Sequence, residues 1–157
     1  MRKMIGVLAL ATGTMVWSSC NSQPPPPPFK PVVDVRQLMA GIIDPSAVAF
    51  WDSTGTIVDA NGVVERQPNT DEEWTAMRNH AMILAESGNL MMMPRRARDN
   101  GDWMKFSQEF IDQAAAAMKA AEARDPVRMF STGTDLYQAC LNCHTEYIAE
   151  IKAAQGK

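Results

Sequence analysis

The sequence predicts an all-α fold: an antiparallel four-helix bundle with a broken first helix and a small hairpin-like excursion between helices one and two. Three observations carry this expectation. Apolar residues recur at helical spacing in four long segments. Capping residues and prolines stand at the edges of those segments. One short stretch alternates as strands do, and two strands of that length are an excursion rather than a core.

The first segment covers 32–50, where Leu38, Met39, Ile42 and Ile43 form one apolar stripe. Asp44-Pro45 interrupts it. Proline removes a backbone donor and disfavours helix at the residue before it, so a break or kink is expected, with a second short helix starting there. A polar stretch, 52–69, follows. Within it Asn61-Gly62 sits among β-branched residues, Ile57-Val58 on one side and Val63-Val64 on the other, which is a hairpin signal.

The second long segment, 70–93, opens on a capping box with Thr70 as cap and Glu73 reaching back, and it stops at Pro94. Trp74, Met77, Ala81, Leu84, Ala85 and Gly88 fit its buried face. The third, 101–124, repeats Trp103, Phe106, Phe110, Ala114, Ala117 and Ala121 at helical spacing. The last starts with Asp125 as cap and Pro126 in the first helical position, and runs to about residue 151, with a local irregularity expected at Gly133. Between the second and third segments, Met91, Met92 and Met93 are expected to pack under a loop, with a soft lining of a ligand site as the lesser reading. Arg95, Arg96 and Arg98 are expected to form a solvated surface run.

The chain has 157 residues, and its front end is not part of this fold. Residues 1–19 read as a bacterial export signal: Arg2-Lys3, a short apolar run from Ile5 to Val16, then small residues. Ser18-Ser19-Cys20 resembles the end of a lipobox, which makes Cys20 a lipidation site and the N-terminus of a mature lipoprotein. Trp17 stands where a branched aliphatic is usual, so ordinary secretion with a stray Cys20 is the competing reading. Asn21 after the cysteine points to outer-membrane sorting in proteins of that kind. Five prolines, Pro24 to Pro28, favour a stiff polyproline II spacer of about 15 Å. Residues 20–30 are thus a lipid-anchored tether, and 31–157 form one domain. A net charge of −3 argues against a nucleic-acid partner.

The chemistry lies on the last segment. Cys140-Leu141-Asn142-Cys143-His144 has the Cys-x-x-Cys-His spacing of covalent haem c attachment. Each thiol forms a thioether with one vinyl group, and the imidazole beside the second thiol reaches the iron from the same side. On a helix the three side chains share one face, being three and four residues apart. A zinc site would need a second Cys or His pair, and a thioredoxin-like dithiol would need a βαβ setting; the sequence offers neither.

Four helical segments with this motif on the last one resemble the class II c-type cytochromes, the cytochrome c-prime group and its low-spin relatives. The resemblance covers about 32–151. It implies one haem between helices one and four with His144 as proximal ligand. In the low-spin relatives the sixth ligand is a methionine on the first helix, after an Arg-Gln pair, and Arg36-Gln37-Leu38-Met39 is similar. The usual spacing falls on Ala40, one residue beyond Met39. Met39 is the expected ligand on helical position and chemistry, and Arg36 the expected propionate partner by resemblance. Tyr147, three residues after His144, is expected beside the haem. A homodimer through the first two helices is also within the resemblance.

The expected function is therefore a mono-haem electron carrier on the periplasmic side of a bacterial membrane, an outer-membrane lipoprotein rather than an enzyme. Its partners would be periplasmic redox proteins, and its anchor Cys20. The alternative is a five-coordinate module for nitric oxide or carbon monoxide, with the distal side covered by Leu38 or by a Met39 that does not coordinate. His80, the only other histidine, is a second candidate axial ligand, and the only distal acid–base group available to a haem peroxidase.

Overall fold

The computed structural model describes residues 29–149. The expected export signal, the expected lipidation site Cys20, the proline run and the residues after 149 lie outside that range. The described chain is mostly helical with one small antiparallel sheet. Its elements are α1 (Val35–Leu38), a π-helical turn (Met39–Ile43), α2 (Asp44–Trp51), β1 (Gly55–Asp59), β2 (Gly62–Arg66), α3 (Asp71–Met91), α4 (Asp102–Glu122) and α5 (Pro126–Tyr147). No helix among the described residues is long and apolar enough to cross a membrane.

Local chemistry sets most of these boundaries. The Asp34 carboxylate accepts from the Gln37 N–H at 2.8 Å, and the Gln37 side chain accepts from the Asp34 N–H, which starts α1. Thr70 and Glu73 form the same reciprocal cap on α3. Asp125 accepts from the Arg128 N–H at 2.9 Å and Pro126 opens α5. Helix α4 closes on Arg124, whose φ of 52° is left-handed. There Asp125 donates to the Ala120 carbonyl and Arg124 to that of Ala121, both at 3.1 Å, which is the paired closure of a Schellman turn.

The break expected at Asp44-Pro45 takes another form. Asp44 stays helical, and the backbone widens before it, with the Asp44 N–H donating to the Met39 carbonyl five residues back. A proline ring collides with the carbonyl four residues earlier in a regular helix. The wider turn relieves that collision without ending the helix. In the sheet Asp59 pairs with Gly62, so the chain reverses over Ala60 and Asn61, one residue earlier than the Asn61-Gly62 centre expected. Gly62 carries the positive φ, 128°.

Helix α3 packs on α4, α4 on α5, and the π turn and α2 on α3. Small residues allow the first contact to be close. Ala114, Ala117 and Ala120 are fully buried on α4, opposite Ala81 and Gly88 of α3. A Cβ on Gly88 would overlap Cγ1 of Ile111 and stand 3.1 Å from the Ser107 carbonyl. Overpacking of this kind costs about 1–3 kcal/mol, of which alanine's helix propensity returns about 1. Gly88→Ala should therefore lower unfolding free energy by up to about 2 kcal/mol in urea titration.

Two sequence expectations are corrected here. Helix α5 runs through Gly133 without irregularity. The glycine instead admits Trp51, whose indole N–H donates to the Gly133 carbonyl at 2.9 Å. Arg96 is not on a solvated surface: it is 6% exposed. Its Nε donates to the Val33 carbonyl at 3.1 Å, and its Nη1 to the Leu90 carbonyl and the Met93 sulfur. The guanidinium fastens the start of the fold to the end of α3.

Candidate haem-attachment site

Helix α5 brings Cys140, Cys143 and His144 to one face, all half-buried. They line a cavity of about 530 Å³, a size usual for small-molecule and cofactor sites (roughly 300–1,000 Å³). The first helical stretch contributes Met39, Ala40, Ile43 and Ala47, with Arg36 and Asp44 among the polar lining. Phe106 and Phe110 of α4, Met91 of α3 and Trp51 of α2 add to the apolar lining, as do Tyr137, Ala139 and Leu141 of α5.

Both described cysteines are free thiols. Burial, and for Cys140 also the neighbouring Cys143, pushes each from 9.0 up to about 11. In the haem-free folded protein the thiolate fraction at pH 8 should fall about 100-fold below that of the unfolded chain, and iodoacetamide labelling should slow in proportion. The folded form holds these protons more tightly, so unfolding is favoured as pH rises from 9.0 towards about 11. A melting temperature falling across that window checks the sign. Burial lowers the His144 pKa, which keeps the imidazole neutral, the form that ligates a metal. Among the described residues, no group of three or more His, Cys, Asp or Glu side chains converges as a site for a metal ion held by protein alone.

The sequence-derived candidates divide. Met39 is half-buried on the cavity wall, and Arg36 is exposed at the same cavity. Leu38, the alternative distal cover, is fully buried in the core and does not line the cavity. His80 is half-buried on α3 and does not line it either, and its buried Nδ1 has no hydrogen-bond partner. Tyr147 is also displaced from its expected place. Its hydroxyl donates to Asp99, and its ring meets Trp103 edge-on at 5.0 Å and Phe106 at 6.4 Å. Tyr147 thus supports the Phe106 wall from behind and does not line the cavity. Asp99 also accepts from the Gly101 and Trp103 N–H groups, so one carboxylate ties α5 to the start of α4. These hydrogen bonds, led by that from Tyr147, lower its pKa.

Sequence reasoning missed Asp44 and Trp51 as lining residues and ranked a lining role for Met91 second. Met91 was legible: it follows Leu84 and Gly88 by seven and three residues on the buried face of α3. Its carbonyl accepts from the Trp103 indole at 3.0 Å, which fixes it under the cavity rather than under a loop.

No protein-family model, curated protein or solved structure matches this chain.

Proposed function

We propose that this chain is an exported, lipid-anchored mono-haem c-type cytochrome that carries single electrons between periplasmic redox proteins. In this reading α1 with α2, then α3, α4 and α5 form an antiparallel four-helix bundle around the cofactor. One observation carries it: two thiols and an imidazole, at attachment spacing on one helix face, line a mostly apolar cavity that Met39 of the first helical stretch lines as well.

The residues fit the group. Cys140 and Cys143 would hold it through thioethers, and His144 would bind iron through a neutral nitrogen. Met39 would take the sixth position and Arg36 a propionate. Phe106, Phe110 and Ala47 would exclude water from the bound group. Haem c supplies the one-electron couple, and the protein supplies ligands and a low-dielectric surround. A protein ligand on the open axial side supports electron transfer over gas binding, and Leu38, the other distal cover, faces the core.

Protein matured in a host competent for c-type assembly should keep its colour through denaturation and acid–acetone extraction. Its mass should exceed that of the polypeptide by one haem, and its low-spin spectra should not change under carbon monoxide. A colourless chain of unmodified mass refutes attachment; a high-spin spectrum that shifts with the gas refutes the carrier.

A further inference from the structure

Met39 and Ala40 both line the cavity, and the π turn sets which of them stands on its buried side and which on its exposed rim. Residues advance about 100° each around an α-helix. In an uninterrupted helix Met39 would lie about 80° from Ala47 and about 120° from Trp51, both of which line the cavity. Ala40 would instead align with each to within about 20°. A π turn takes in one extra residue without extra rotation. Here the Asp44 N–H reaches the Met39 carbonyl, the acceptor that Ala40 would provide in a regular helix. Met39 therefore falls within about 20° of both Ala47 and Trp51. The exposures agree: Met39 is half-buried, and Ala40 is exposed.

We infer that the Met39–Ile43 π turn is a register device that delivers the Met39 thioether to the cavity, with Pro45 as its positioning residue. Pro45 has no N–H for the Gly41 carbonyl and its ring would crowd that oxygen, so it disfavours the regular turn. Gly41 lies within the wide turn, and a Cβ there would meet nothing within 4 Å, so the site can be deleted without loss of packing. This inference rests on Met39 as the sixth ligand.

The test uses the haem-loaded protein, visible spectra in both oxidation states, and helical circular dichroism of the haem-free form. Removing Gly41 together with Pro45→Ala yields a regular helix with both flanks in their present relative phase. That variant should fold, melt no lower than the parent, and keep the low-spin spectrum. Exchanging the two side chains at full length, Met39→Ala with Ala40→Met, should lose the low-spin spectrum, because the thioether moves about 100° round to the exposed rim of the cavity. The inference is overturned if the shortened variant turns high-spin or fails to fold, or if the exchanged variant stays low-spin. Met39→Ala alone separates the two readings. If it remains low-spin, the ligand assignment itself falls; if it turns high-spin while the shortened variant does too, only the register device falls.

Discussion

Met39→Ala should convert the loaded protein from low-spin to high-spin in both oxidation states, open the iron to carbon monoxide, and lower its midpoint potential by on the order of 100 mV. The thioether is a soft ligand that favours reduced iron, so its loss favours the oxidised form. Met39 lines the same cavity as the cysteines, and its neighbours Ala40, Ile43 and Ala47 cannot ligate. Met91 is the other thioether on the cavity, but it is 3% exposed and belongs to the core that includes Leu84 and Trp103. Spectroelectrochemistry of Met39→Ala beside Met91→Leu decides between them. The expected result is a large change in the first and a small one in the second.

Arg96→Met should lower unfolding free energy by about 2–3 kcal/mol, although it keeps most of the buried volume. Hydrogen bonds from a charged donor to buried carbonyls are worth about 1.5–3 kcal/mol each, offset in part by the favourable burial of an apolar side chain. The carbonyls of Val33 and Leu90 lose a donor, and Val33 precedes the capped start of α1. Urea titration should report the loss. Hydrogen exchange should quicken over Val35–Leu38 before it does over α4, because the released contact holds that end of the chain.

Helix starts were legible because a cap acts over three or four residues. Asp125-Pro126 and Thr70 with Glu73 carry their own geometry in the sequence. The shared face of Cys140, Cys143 and His144 was legible for the same reason, since spacing along one helix is a local property. What escaped the sequence depends on partners far along the chain. Arg96 is buried because Val33 offers a carbonyl 63 residues away. Tyr147 leaves the cavity because Asp99, 48 residues back, takes its hydroxyl. Gly133 packs smoothly because Trp51 fills the space beside it. The proline at 45 announced a disturbance, but whether the helix breaks or widens depends on the packing of α2 and the π turn against α3.

Trp51 is held by its bond to Gly133 with one side of the ring lining the cavity and its edge against Tyr137. A porphyrin seated there would absorb the emission of this indole, and Trp103 lies close behind the same wall. Fluorescence should therefore be dim in the mature protein and brighten as the chain unfolds away from its pigment. The tryptophan wall gives a label-free optical gauge of cofactor loading and of the integrity of the surrounding helices.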